Sequence, residues 1–294
     1  MKRAACIVIG SNSTRLVAAD LTEPLQNPLR LREETKLFLR MENGRMLEEA
    51  IEGVAEAVAS LAARSDAPLL GVYATSAVRD AANADALAEA IFRRVSLPLT
   101  VLSGKEEAAA SFIGAAGGAS AGVIDIGGGS TEIAIGSDLR VTEATSLQLG
   151  ASRLFKTNPI HCAADVAPAL KAAGGALDTL SAALARHAGV DHFYSVGGTG
   201  TACAMLLLKT KDRSAIEGVQ ISREQAHSLL GTMAALPRDR RVLLPGFPAG
   251  RVDILPTGLA ILCAVMDRLA LPYVEVTQRC NADGLLLLAA HGLL

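Results

Sequence analysis

Asp125 and Glu132 flank a run of small residues, in the order Asp-Ile-Gly-Gly-Gly-Ser-Thr-Glu. Glycines lack a Cβ, so backbone N–H groups there can approach an anion closely, and the hydroxyls of Ser130 and Thr131 add donors. Carboxylates beside a phosphate-holding turn are the hard oxygen ligands that Mg²⁺ takes. The same pattern occurs earlier in the chain. Ile7 lies over Ile124, Ile9 over Ile126, Gly10 over Gly127, Ser13 over Ser130 and Thr14 over Thr131. One glycine turn is as well explained by an ordinary β-hairpin. Two copies, each between apolar strands, point to two phosphate loops in two related domains that face each other across a cleft. The copies differ in charge: Val8 and Arg15 stand where the second copy has Asp125 and Glu132.

Other residues able to act on phosphate are scattered. Arg79 follows an apolar strand-like run, and a guanidinium forks onto phosphate oxygens and stays charged. Glu106 and Glu107 open a helix, where acids are common as caps; a carboxylate placed there can also take a proton from water. The run Gly197, Gly198, Thr199, Gly200, Thr201 lies between a strand and a helix, where N–H groups can face an anion. Arg251 and Asp253 precede an apolar helix; Arg251 is a candidate for a further phosphate ligand, and Asp253 could orient it or cap the helix. Lys105, Arg15 and Arg153 are additional cations. His161 beside Cys162 lacks a second pair at metal-ligand spacing. His187, His192, His227 and His291 read as surface or structural residues.

Strand-like runs cover residues 5–9, 16–20, 69–74, 100–102, 122–126, 132–136, 192–196 and 273–276. Helical periodicity covers 46–65, 83–95, 106–116, 165–187, 201–208, 222–235, 256–269 and 282–290. Ser222 and Gln225 have the spacing of a capping box. Alternation of strands and helices indicates α/β layers. The small-residue stretch 117–122 marks a boundary between domains at 1–120 and 121–294, with the last helix able to pack back on the first.

The chain has 294 residues, half of them hydrophobic, with no Trp and a net charge of −2. That charge gives no general attraction for nucleic acid or anionic membrane. No run reaches the roughly 18 apolar residues of a membrane span, and the N-terminal apolar run is too short for a signal peptide. The five cysteines include no CxxC pair, which suits buried, reduced thiols in the cytoplasm.

Several further motifs occur in order: Ala74-Thr75-Ser76-Ala77-Val78-Arg79, Ser103-Gly104-Lys105-Glu106-Glu107-Ala108, Leu149-Gly150-Ala151-Ser152-Arg153-Leu154, and Pro245-Gly246 followed by Arg251-Val252-Asp253-Ile254. With the two glycine loops, they resemble the exopolyphosphatase/guanosine pentaphosphate phosphatase family, of the actin, sugar-kinase and heat-shock chaperone fold superfamily, over nearly the whole chain. The resemblance implies two ribonuclease-H-like domains with mixed five-stranded sheets, and hydrolysis of a terminal phosphoanhydride in polyphosphate. Guanosine pentaphosphate is the alternative substrate, and a weakly active phosphate or nucleotide sensor the alternative of another class. It assigns Glu107 as the base that activates water and Arg79 as a catalytic residue that offsets phosphate charge. Substrate phosphates fall to Gly10, Ser11, Asn12, Ser13, Arg79, Gly127, Gly128, Gly129, Ser130, Thr131, Gly198, Thr199 and Arg251. Asp125 and Glu132 hold Mg²⁺ or another divalent cation, and a homodimer is possible.

Two departures from the family pattern stand out. An acid is usual where Val8 stands, which leaves metal binding to Asp125 and Glu132. The segment Cys280-Asn281-Ala282-Asp283-Gly284 lacks the basic residue usual at position 282. The extra C-terminal helical domains of long members do not follow Leu294 in this sequence, which suits short polyphosphates or a nucleotide-sized substrate.

Overall fold

The computed structural model describes residues 2–186 and 189–294. The chain divides into two compact units: one takes the chain up to Gly117 together with Arg279–Leu294, the other is Gly118–Gln278. Arg279–Leu294, placed by number with the second domain at the sequence level, thus belongs to the first unit.

The first unit contains strands β1 (Arg3–Ile9), β2 (Ser13–Asp20) and β3 (Leu29–Glu34), then a small hairpin of β4 (Met41–Glu42) and β5 (Arg45–Met46). Helix α1 (Glu48–Ala63), β6 (Leu69–Ala74), the single turn α2 (Ser76–Arg79), α3 (Ala84–Val95), β7 (Leu99–Val101) and α4 (Gly104–Ala116) follow. The sheet order is β3-β2-β1-β6-β7, with β1 antiparallel to β2 and parallel to β6. Alternate side chains of a strand point to opposite faces. Ala5, Ile7, Ile9, Leu16 and Ala18 therefore share one face, packed in a core with Val54, Val58 and Leu61 of α1 and Ile91 of α3.

The second unit contains β8 (Ala121–Ile126), β9 (Thr131–Ser137), β10 (Arg140–Leu147), α5 (Ala151–Thr157), α6 (Val166–Leu177) and α7 (Ala182–Ala185). It continues with β11 (Phe193–Val196), α8 (Gly197–Leu207), β12 (Gln220–Ser222), α9 (Arg223–Ala235), α10 (Arg238–Arg241), α11 (Leu255–Arg268) and β13 (Tyr273–Val276). Its sheet order is β10-β9-β8-β11-β13-β12. The first five strands repeat the arrangement of the first unit, and β12 adds a sixth at the edge. The expected pair of five-stranded sheets is corrected on this point. A three-residue edge strand paired only to β13 carries too little pattern to stand out in sequence.

The last helix, α12 (Asn281–Ala290), belongs to the first unit because it packs against α4 with almost no side-chain volume between them. A Cβ at Gly114 would lie 2.1 Å from the Cys280 carbonyl oxygen, and one at Gly284 would lie 1.9 Å from the Ala110 carbonyl oxygen. Each helix thus supplies a glycine to the other's backbone. Asp283 is fully buried at the start of α12 and takes both forks of Arg30 on β3, at 2.8 and 2.5 Å. This pair ties the C-terminal helix to the sheet.

Strands β3 and β10 are absent from the sequence reading. Each is an edge strand with charged or half-exposed residues, so neither shows an apolar run. The helix expected over 165–187 is interrupted: α6 ends at Leu177, and Ser181 caps a separate α7 by accepting from Leu184 N–H at 3.2 Å. His187 lies outside the described residues. The turns α2, α5 and α10 are too short to show periodicity.

Candidate active site

The two glycine loops are closed in the same way. Gly10 N–H donates to the Ser13 carbonyl at 3.0 Å, and Gly127 N–H donates to the Ser130 carbonyl at 3.0 Å. In the first loop the Ser11 carbonyl accepts from Phe38 N–H at 2.9 Å, and the Asn12 carbonyl accepts from Thr35 and Lys36 N–H at 3.2 and 3.0 Å. In the second, the Gly127 carbonyl accepts from Ala151 N–H at 2.9 Å and the Gly128 carbonyl from Ser152 and Arg153 N–H at 2.8 and 2.9 Å. A trans peptide is planar, with its C=O and the following N–H pointing in opposite directions. Holding the carbonyls from behind therefore aims the N–H groups of Asn12, Gly128 and Gly129 the other way. Among the described residues, no acceptor takes the N–H of Ser11, Asn12, Gly128, Gly129 or Ser130. The Asn12 side chain is buried, and neither its oxygen nor its nitrogen has a partner. Buried polar groups are nearly always paired, so this orphan and the open N–H groups give the loops unused donors, the chemistry that an anion can take.

The carboxylates of the second unit meet across two strands. Asp125 on β8 lies directly opposite Glu132 on β9, so both side chains leave the same face of the sheet. Both are buried, and Glu132 accepts from the Ser146 hydroxyl at 2.6 Å. The register-equivalent pair in the first unit is Val8 opposite Arg15. Gly197 has φ +88°, and a Cβ there would lie 2.7 Å from Asp125 Oδ1. The glycine thus lets α8 begin against that carboxylate. Arg251 is buried against the next residue: a Cβ at Gly198 would sit 1.5 Å from Arg251 Nη2. Thr199 is buried and its hydroxyl has no partner. Gly198 and Thr199 lie inside the first turn of α8 rather than in a loop ahead of it.

In the first unit Arg79 ends the turn α2 and Glu107 lies in the first turn of α4. Arg79 Nη1 donates to Glu107 Oε2 at 3.0 Å and to the Leu102 carbonyl at 2.7 Å. Its Nη2 is buried with no partner. One side of the guanidinium is fixed by the protein, and Nη2 on the other keeps unused N–H donors. Ser11 and Ser76 hydroxyls lie 3.2 Å apart, which joins the first loop to the base of the same α2 turn.

The adjacent acid does different work. Glu106 is exposed and closes a capping box with Ser103: the Ser103 hydroxyl accepts from Glu106 N–H at 3.3 Å, and Glu106 Oε2 accepts from Ser103 N–H at 2.7 Å. These hydrogen bonds hold its carboxyl below the usual range. Lys105 is exposed. Asp253 pairs with Arg238, whose Nε and Nη2 donate at 2.6 and 3.1 Å. Arg153 donates from Nε to the Gly129 carbonyl at 2.7 Å.

His192 meets Tyr194 edge to face and lies 3.5 Å from Glu275, His227 pairs with Asp267, and His291 meets the Leu287 carbonyl. Among the described residues no cluster of three or more His, Cys, Asp or Glu could hold a metal. All five cysteines are free. Four are buried, but Cys162 is exposed. Burial pushes the Cys6 and Cys203 thiols up, and that of Cys263 to about 12, which disfavours the nucleophilic thiolate at these three. The backing donors at residues 35–38 gave no sequence signal, whereas Gly150 and Arg153 lay in a recognisable motif.

The model of the Ppx/GppA phosphatase family matches residues 19–291. The chain belongs to this family. Among curated relatives, the guanosine-5'-triphosphate,3'-diphosphate pyrophosphatase of Vibrio campbellii is 26% identical over 296 residues, covering 96% of this chain and 58% of the relative. That of Pseudoalteromonas atlantica is 28% identical over 299 residues, covering 96% and 57%. The chain therefore spans somewhat over half the length of these relatives. Among solved structures, the Aquifex aeolicus Ppx/GppA family member superposes with a TM-score of 0.80 at 23% identity, covering 99% of this chain and 98% of that one. An exopolyphosphatase from Cytophaga hutchinsonii gives a TM-score of 0.84 at 19% identity, covering 99% of each chain. These solved structures thus share the duplicated α/β architecture of the two units. No helix among the described residues is long and apolar enough to cross a membrane.

Proposed function

We propose that the chain hydrolyses the terminal phosphoanhydride of inorganic polyphosphate. The observation that carries the reading is the pair of loops whose carbonyls are turned back and whose N–H groups are open. In this reading the N–H groups around Gly10, Ser11, Asn12 and Ser13, and around Gly127, Gly128, Gly129, Ser130 and Thr131, bind phosphate oxygens. Arg79 Nη2 adds a charged donor, and Arg251, with Gly198 and Thr199, offers another. Glu107 accepts the proton of the attacking water. The water oxygen bonds to the terminal phosphorus, the bridging P–O bond breaks, and its electron pair leaves on the remaining phosphate chain. Most of the rate enhancement comes from fixed donors aimed at the transferring group.

Two facing carboxylates fit Mg²⁺, which binds through one or two carboxylates and keeps waters and substrate phosphates for the rest. Asp125 and Glu132 would hold it, and it would offset phosphate charge when bound. The free, mostly buried thiols are in keeping with a cytoplasmic setting.

Guanosine pentaphosphate is the second reading, favoured by the name of the curated relatives. Phosphate release from short polyphosphate, long polyphosphate and guanosine pentaphosphate, with Mg²⁺ and with chelator, separates the two. Preference for the nucleotide would replace the first reading, and release from none would leave a binding protein.

A further inference from the structure

We propose that Arg153 is a positioning residue that sets the direction of the last N–H in the second phosphate loop. It holds two successive carbonyls at once. Its backbone N–H donates to Gly128 at 2.9 Å, and its Nε donates to Gly129 at 2.7 Å. The Gly129 carbonyl and the Ser130 N–H belong to one peptide plane and point in opposite directions. Anchoring that oxygen therefore fixes where Ser130 N–H is aimed. Gly129 has no Cβ to restrict rotation, so the plane is otherwise free to turn.

The base that Arg153 stands on is rigid. A Cβ at Gly150 would lie 2.4 Å from the Gly128 carbonyl oxygen, so the start of α5 is seated directly on the loop. Thr257 Oγ1 on α11 donates to the Ala151 carbonyl at 2.7 Å, and Thr131 Oγ1 donates to the Leu149 carbonyl at 2.5 Å. In the first loop the corresponding work is done by backbone N–H groups of Thr35, Lys36 and Phe38. In the second loop it falls in part on a side chain. The Nε of Arg153 thus acts from behind the loop.

The inference rests on the phosphate-binding reading of this loop. Its test measures tripolyphosphate binding by calorimetry, amide hydrogen exchange of a peptide covering residues 127–131, and the urea midpoint, for wild type, Arg153→Gln and Arg153→Lys. Arg153→Gln is expected to weaken binding about tenfold, since a charge-assisted hydrogen bond is lost, and to speed exchange of the loop amides. Arg153→Lys keeps the charge but lacks a planar Nε donor and is expected to rescue little. Failure of wild type to bind would remove the phosphate reading itself. Wild-type binding with Arg153→Gln unchanged overturns the positioning role. So does rescue by Arg153→Lys, or weakened binding without faster loop exchange, either of which would mean direct contact with phosphate. If Arg153→Gln does not fold, Arg153→Lys alone decides between charge and geometry.

Discussion

Arg79 donates to Glu107 across 3.0 Å while its other terminal nitrogen is buried and unpartnered. The proposed base and a proposed phosphate donor are thus one coupled unit, held in place by the Leu102 carbonyl. Glu107→Gln keeps the shape and an acceptor for Arg79 but cannot take a proton. It is expected to lower kcat about a hundredfold or more, with tripolyphosphate affinity in calorimetry nearly unchanged. Arg79→Lys is expected to raise KM as well, because an ammonium cannot serve the Leu102 carbonyl, Glu107 and phosphate in one plane. Full activity of Glu107→Gln would remove this base.

Glu106, one residue earlier, provides the contrast. Glu106→Ala removes half of a capping box on an exposed helix end, and about 0.5 kcal/mol of stability should be lost with kcat unchanged. Its folded carboxyl titrates below its unfolded value. The stabilisation is therefore complete above the unfolded pKa and fades as pH falls through the lowered folded one. Urea midpoints of wild type and Glu106→Ala should converge in acid; a constant gap contradicts the cap.

Gly198 leaves room for a guanidinium. In Gly198→Ala the new methyl would overlap Arg251 Nη2, which must move. A KM increase of about tenfold is expected, the scale of one charge-assisted hydrogen bond, with the helix intact by circular dichroism. An unchanged KM would show that Arg251 is not used in binding.

Asp283 is fully buried, and Arg30 is its partly exposed partner. Asp283→Ala strips the start of α12 and leaves the guanidinium facing a cavity. Breaking a buried pair costs about 3–5 kcal/mol, and solvent around Arg30 moves the expectation to about 3 kcal/mol, readable in urea unfolding. Asp283→Glu should retain the cation's partner yet crowd the buried start of α12 around Cys280, giving a smaller loss.

Val8 lies opposite Arg15 as Asp125 lies opposite Glu132. If the metal rests on the second pair alone, Val8→Asp supplies a further hard oxygen, and the Mg²⁺ concentration for half-maximal phosphate release should fall. Unchanged Mg²⁺ dependence would exclude position 8 from the metal's surroundings.

The duplication was legible in sequence because a phosphate-type turn demands particular residues in order. Glycines must be where backbone approaches, small hydroxyls must follow, and apolar strands must flank them. The same economy exposed the buried strands β1, β6, β8 and β13 and the long helices, whose periodicity is local. What a chain segment does for a distant one is not written in its own residues. That α12 joins the first unit depended on Gly114 and Gly284 meeting backbone to backbone. That the loop carbonyls are held from behind depended on Thr35, Lys36 and Phe38 in one unit and on α5 in the other. Asp125 and Glu132 could be named from their spacing, but only strand register put them face to face. Glu106 and Glu107 look alike in sequence, and helix geometry alone turned one outward to cap the helix and buried the other beside Arg79. Residue type fixes what a group can do, whereas direction comes from hydrogen bonds and packing made by parts of the chain far removed.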